Sequence, residues 1–310
     1  TSKNMSSMLK ASLKTEIKAV FIRETDFTYP IKASTWDNWF PFAYAAFQKV
    51  DKTKIKSFAT IGTSSGADAI GASYIFNHLN TLVITDIDEK TIPIAEENVK
   101  KHTSHVNVIA LIGSLCQPIR EKGIRVDLIY ENLPNIPDAK IITNRYRRSS
   151  RYKAGSFDVG HEQAKKYLLE SHLASLIEAK ELLTPNGSVI CSIGGRVPYN
   201  LLRSMVESAG YSYEELVAGF KVQTEPEEVL VGYAEAEKGD VTFDFYRYDE
   251  AIQLLRKRGM KKPFMELRGN ELKEVLFHCK ISAEQALRLY QEDPSYKIGH
   301  TVHMIRATKK

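Results

Sequence analysis

The stretch that decides the fold runs from Ile55 to Asp88, IKSFATIGTSSGADAIGASYIFNHLNTLVITDID. An apolar run (Phe58, Ala59, Ile61) enters the small-residue turn Gly62-Thr63-Ser64-Ser65-Gly66. A helical segment of small residues follows, then a second apolar run (Leu82, Val83, Ile84) that stops at Asp86. Strand, tight turn, helix, strand, acid is the first half of a nucleotide-binding βαβ unit. Small residues let the backbone approach a ligand, and the helix that follows offers free N–H groups at its amino end. An acid about 20 residues beyond the turn can accept hydrogen bonds from both hydroxyls of a ribose. By itself the pattern requires only a ligand that carries adenosine.

The alternation continues outward from this unit. The spacing of Ile92, Ala95 and Val99 predicts a helix over Thr91–His102. Val106–Ile112 and Val126–Tyr130 read as buried strands. Glu162–Leu183 reads as the longest helix, stopped by Thr184-Pro185-Asn186-Gly187. Ser188–Ile193 is a further strand, ending in Gly194-Gly195-Arg196. Such an order implies an α/β fold with a mainly parallel sheet covered on both faces. Residues 1–54 form an amino-terminal cap segment holding Trp36 and Trp39, and 55–224 form the core. Residues 225–295 fit the alternation poorly and read as an inserted subdomain, with 296–310 as a closing strand paired near Val217–Val222.

Bulk properties exclude several classes. The 310 residues are 43% hydrophobic and 26% charged, as in an ordinary soluble globular chain. The net charge of +5 is too small and too scattered to imply nucleic acid. Three widely spaced cysteines (Cys116, Cys191, Cys279) give neither a disulfide framework nor a metal pair, and suit a reducing cytoplasm. No apolar run reaches membrane-spanning length, and the amino-terminal stretch lacks the apolar core of a signal peptide. No spacing of His, Cys and acids suggests a metal.

The turn chooses between ligands. Pyrophosphate binding wants GxGxxG, in which the second glycine lets the backbone touch the phosphates. Here the spacing is Gly62-x-Ser64-x-Gly66. A second element, Tyr130-Glu131-Asn132-Leu133-Pro134-Asn135-Ile136-Pro137, stands at the carboxyl end of the fourth strand, where a ligand crevice should open.

These two elements resemble those of class I S-adenosylmethionine (AdoMet) methyltransferases. The first is similar to their GxGxG turn, which an acid usually precedes by two residues; Thr60 and Ser64 are the departures. The second resembles the NPPYIP of the protein-glutamine methyltransferases, with Leu133 for the first proline and Asn135 for the aromatic residue. Over roughly residues 25–307 the chain also resembles the amino-terminal domain of plant-type methionine S-methyltransferases. That likeness includes Ser192-Ile193-Gly194-Gly195-Arg196, Gly219–Thr224, Val241–Tyr246 and His300–His303. The resemblance implies a Rossmann-like methyltransferase fold, with a mostly parallel seven-stranded sheet, an amino-terminal cap and a carboxyl-terminal insertion. It also implies AdoMet as cofactor, S-adenosylhomocysteine as product, and a stand-alone enzyme.

The resemblance, with the position of each residue, implies the following roles. Gly62, Thr63, Ser64 and Gly66 shape the cofactor turn, with Asp86 on the ribose and Ile87 beside it. Ser114 is a candidate for the adenine amino group. Asn132 grips the acceptor's N–H groups at the junction of cofactor and substrate, and Pro134 shapes that turn. Glu131 and Tyr130 are candidates for holding a cationic amine or acting as a base. Arg196 is a candidate carboxylate clamp, and Trp36 a candidate substrate contact. With Asn135 in place of the stacking ring, the expected acceptor is a small amino-acid-like molecule, S- or N-methylated. Nucleic acid is not expected as a partner. The basic run Arg145–Lys153 reads as a solvated loop, a lid or a phosphate-binding segment. A macromolecular acceptor, protein glutamine or a nucleic-acid amine, stays open as the alternative, as does a non-catalytic protein of the same fold.

Overall fold

The computed structural model describes residues 1–14, 16–135 and 157–310. Two short strands, β1 (Ser2–Asn4) and β2 (Phe21–Arg23), make a small antiparallel ribbon of their own. The main sheet holds β3 (Ser57–Ile61), β4 (Thr81–Asp86), β5 (Asn107–Ile112), β6 (Val126–Glu131), β7 (Leu183–Gly194), β8 (Tyr211–Val222), β9 (Phe245–Arg247), β10 (Lys280–Ile281) and β11 (Ile298–Lys309).

The first five of these lie in the order β5-β4-β3-β6-β7, all parallel. β11 returns antiparallel beside β7, and β8 pairs with its other edge. Seven strands therefore form the expected sheet. The two additional strands are short: β9 meets Ile298 and Gly299 of β11, and β10 adds to β9. They come from the segment after Glu225, in which the run Val241, Phe243, Phe245 contributes a strand only from Phe245 onward. The rest of that segment is mainly helical, with helices at Pro226–Ala236, Tyr248–Lys257, Gly269–Val275 and Ala283–Glu292.

Apolar residues on the two faces of the parallel strands build two of the cores. One gathers Phe42, Phe47, Phe58, Phe76 and Tyr130 beneath the Phe40–Phe47 helix. Phe47 meets the rings of Phe58, Phe76 and Tyr130 at 5.1–5.8 Å between centroids. The other core packs Leu173, Leu176, Leu202 and Met205 against Val189, Cys191 and Ile193.

One expected element differs. Instead of a single helix over Glu162–Leu183 there are two, Glu162–Lys166 and Glu170–Ala179. Leu168 takes a left-handed conformation (φ 62°), and the Leu169 N–H donates back to the Ala164 carbonyl at 2.8 Å. This is a Schellman-type end made without glycine, so the sequence carries no signal for it. Thr184–Gly187 does not stop a helix but lies in the irregular start of β7, where the pairing with β6 changes register.

The chain reverses sheet direction between β3 and β6, which are neighbours although two strands separate them in sequence. A crevice opens at the carboxyl ends of parallel strands at such a switch point. Among the described residues no helix is long and apolar enough to cross a membrane.

Candidate active site

A cavity of about 550 Å³ occupies that position, within the range of small-molecule sites. Its floor is the turn after β3. Gly62 has φ +71°, and a β-carbon there would meet only Leu133, at 4.0 Å. Gly66 (φ +85°) faces away from the cavity: a β-carbon on it would strike Val99 at 2.7 Å, so it sets how closely the Ile92–His102 helix packs. Asp86, at the end of β4, accepts from the Ser64 N–H at 3.0 Å and from the Asp88 N–H at 3.1 Å, one on each oxygen. It lines the cavity with lone pairs to spare. Burial raises its pKa, partly offset by those N–H donors. Ile87 and the Gly113–Leu115 segment form the wall beyond it.

Both departures from the expected turn have structural partners. Ser64 is left-handed (φ 54°), a conformation that costs a non-glycine residue about 1–2 kcal/mol. Its hydroxyl accepts from the Tyr29 backbone N–H at 2.8 Å, and the Tyr29 hydroxyl meets Thr224 Oγ1 at 2.6 Å. The serine thereby ties the amino-terminal segment over the turn. Asn98 adds a second tie, donating to the carbonyls of Ser65 and Arg23. Thr60, where the resemblance expects an acid, donates its hydroxyl to Asp68 on the next helix. Thr63 Oγ1 and the Ala69 N–H also donate to Asp68, each at 2.7 Å. Asp68 is 8% exposed and lines the cavity. Burial pushes its pKa up to about 6 against the pull of those donors.

Next to the turn after β3, Asn132, Leu133, Pro134 and Asn135 leave the neighbouring strand β6 and border the same cavity. Tyr130 borders it too, with its ring packed edge-on to Phe47 at 5.1 Å and its pKa raised by burial. Glu131 points to the other side of the sheet. Its carboxylate meets His172 Nδ1 at 2.6 Å, both side chains fully buried, and accepts from the Leu133 N–H at 3.1 Å. It is not among the residues that border the cavity, so it holds the turn that carries Asn132.

Arg196 enters from the end of β7, 2% exposed. Its guanidinium donates to Gln223 Oε1 at 3.0 Å and, at 3.4 Å, to Asn135 Oδ1 and the Tyr233 hydroxyl. A β-carbon on Gly194 would lie 2.1 Å from that guanidinium, which accounts for the glycine before it.

Of the expected site residues, the structure gathers Gly62, Thr63, Ser64, Asp86, Ile87, Ser114, Tyr130, Asn132, Pro134 and Arg196 around one cavity. It leaves Gly66, Glu131 and Trp36 off its wall. Trp36 sits in a short 3-10 turn, while Trp39 borders the cavity and stacks near His300 at 5.5 Å. Asp68, Tyr29, Trp39 and Gln223 also line the site; of these, Gln223 lies in the Gly219–Thr224 stretch, and Asp68 is an acid within an otherwise small and apolar helix. Ile136, Pro137 and the basic run Arg145–Lys153 lie outside the described residues. No group of three or more His, Cys, Asp or Glu among the described residues could hold a metal ion.

The order β5-β4-β3-β6-β7-β11-β8, with antiparallel β11 and the turn after β3 on the cavity floor, decides the architecture. This is the class I methyltransferase fold. A comparison with protein-family profiles gives no match. The chain is 27% identical over 146 residues to the ribosomal protein uL3 glutamine methyltransferase of Francisella tularensis subsp. tularensis, covering 46% of this chain and 43% of that protein. It is 29% identical over 97 residues to the release factor glutamine methyltransferase of Moorella thermoacetica, covering 31% and 33%. Each match therefore spans less than half of the curated relative's length. Among solved structures, a methyltransferase from Pyrococcus furiosus overlays with a TM-score of 0.38 at 22% identity, covering 57% of this chain and 75% of that one. The fold assignment rests on strand order and not on this overlay.

Both curated relatives are named for methylation of protein glutamine, which overturns the expectation of a small amino-acid-like acceptor. The structure shows why that expectation had a weak premise. Asn135 does replace a ring, but Tyr29, Trp39, Phe40 and Phe157 line the same cavity. Aromatic surface for a planar group is supplied by segments distant in sequence.

Proposed function

We propose that this chain is an AdoMet-dependent methyltransferase whose acceptor is a side-chain nitrogen of a protein, with glutamine amide as the first candidate. The observation that carries the reading is that Asn132 borders the same cavity as Gly62, Thr63, Ser64 and Asp86, at the end of the strand next to β3. The names of the two curated relatives support the protein acceptor. On this reading residues 1–54 act as the cap, 55–224 and 296–310 as the core, and 225–295 as an inserted subdomain.

The cavity suits AdoMet better than a dinucleotide. Two carboxylates, Asp68 and Asp86, border it, each bonded to the turn, where a pyrophosphate would meet repulsion and a cationic ligand would not. Asp86 would hold the ribose, with Ile87 and Ser114 beside the base. When bound, AdoMet supplies a methyl group made electrophilic by its sulfonium.

The chain's own residues contribute position and dryness. Asn132 orients the acceptor nitrogen with its side-chain amide. Glu131 fixes the turn from behind through the Leu133 N–H and does not reach the acceptor. Tyr130 stays protonated in its buried setting, so it donates and is no base. The aromatic residues Tyr29 and Trp39 close the apolar side. Arg196 fixes Asn135 and Gln223, and with them the polar end of the acceptor pocket.

Transfer of labelled methyl from AdoMet to glutamine-containing peptides of ribosomal-protein or release-factor type tests the acceptor. Label in the peptide's glutamine supports the reading. Label only in free amino acids or in RNA overturns the acceptor class.

A further inference from the structure

We propose that Asp68 binds the α-ammonium of the cofactor's amino-acid end, in place of the acid that the family carries two residues before its first glycine. The inference rests on AdoMet being the ligand, as proposed above.

In this chain the position two residues before Gly62 is Thr60, fully buried and without charge. Thr60 does not leave the site without an acid, because its hydroxyl is spent on the Asp68 carboxylate. The charge has moved from the end of β3 to the first turn of the following helix, Ala67–Ile75, and the threonine now orients it. Two hydroxyls and one N–H fix the carboxylate, and all three donors belong to the turn or its flanks. A carboxylate offers about four acceptor positions, so one is left for a ligand.

An ionised carboxylate so deeply buried is costly unless a cation meets it. No salt bridge to Asp68 forms among the described residues. The donors that touch it are neutral, and the charge of Asp86, of the same sign, adds to the effect of burial. The two acids then divide one ligand. Asp86 ends β4 beside Ile87 and Gly113, whereas Asp68 is held by Thr60 of β3 and its charge acts on Tyr130 of β6, the strand on the opposite flank of β3 from β4. A ligand with a ribose at one end and an ammonium at the other matches that division.

The test compares two ligands that share the nucleoside half. S-adenosylhomocysteine carries the ammonium, and 5′-methylthioadenosine lacks the whole amino-acid end. Calorimetric titration of wild type and Asp68→Asn with each gives four affinities, with thermal unfolding as the check on folding. Asp68→Asn is expected to weaken S-adenosylhomocysteine about tenfold or more, as for loss of one charge-assisted hydrogen bond, and to leave methylthioadenosine within about twofold. Thr63→Val, which leaves the carboxylate in place with one donor fewer, is the second variant and should give a smaller loss of the same selectivity. Equal losses for both ligands, or none for either, would overturn the role of Asp68 while leaving the cofactor assignment standing. Wild-type protein that binds neither ligand would overturn both.

Discussion

The backbone N–H of Tyr29 donates to the hydroxyl of Ser64 at 2.8 Å, across 35 residues of sequence. That bond explains a serine in a left-handed position where glycine would be relaxed. It also fastens the amino-terminal segment to the Gly62–Gly66 turn, and Thr91 Oγ1 donates to the Phe27 carbonyl at 2.9 Å.

Ser64→Ala should destabilise the chain by about 1–2 kcal/mol, because strain stays and the Tyr29 N–H loses its acceptor. Ser64→Gly loses the same bond but removes left-handed strain of about 1 kcal/mol, so it should lie close to wild type. Urea denaturation of both variants checks the order. Equal losses for the two would show that the strain is not stored at Ser64.

His172 and Glu131 form a fully buried pair behind the Asn132–Asn135 segment. His172→Leu should cost roughly 3–5 kcal/mol, since it strands a buried carboxylate. Replacing both members by apolar residues should cost less than replacing His172 alone. A chemical-denaturation cycle over His172→Leu, Glu131→Leu and the double variant measures this. A double variant as unstable as the sum of the singles would contradict a direct pair.

Asn132 borders the cavity just after β6, beside the Gly62–Gly66 turn. Asn132→Ala should lower kcat by about tenfold or more while S-adenosylhomocysteine affinity changes little, the pattern of an interaction made with the acceptor in the transition state. If the variant instead loses cofactor affinity and keeps turnover at saturating AdoMet, Asn132 belongs to the cofactor side.

Much of this was legible in the sequence because it is local. A strand, a small-residue turn and an acid at the next strand end lie within one βαβ unit, and the Ile92, Ala95, Val99 stripe reads directly as a buried helix face. What the sequence hid was tertiary. Thr60 reads as a lost acid only until Asp68 is seen beneath the same turn. Asn135 reads as a lost ring only until Tyr29 and Trp39 are seen across the cavity. Trp36 and Trp39 are equivalent as sequence, and packing against His300 selects Trp39. Glu131 sits beside Asn132 in sequence, yet strand alternation sends neighbouring side chains to opposite faces.

Lys221 is 1% exposed, with its Nζ 5.2 Å from the Trp39 ring centroid. Burial, and then the charge of Arg196, push its pKa down to about 7. An unfolded lysine titrates near 10.4, so between these values the unfolded chain holds the extra proton. Stability should therefore rise with pH from about 7 toward 10, by at most about 1.4 kcal/mol per pH unit from this group. Lys221→Met should remove that part of the slope and stabilise the chain at neutral pH. Urea midpoints from pH 7 to 9.5 for both proteins check it; parallel slopes would mean that Lys221 is charged in the folded state.

The most direct test of AdoMet as the ligand is calorimetric titration of the wild-type protein with S-adenosylhomocysteine and with NAD. On the proposed reading Asp86 holds the ribose, while Asp68 and Asp86 together would oppose a pyrophosphate at the turn. One S-adenosylhomocysteine should bind per chain, with NAD weaker or undetectable. Tighter binding of NAD, or no binding of S-adenosylhomocysteine, would contradict the assignment.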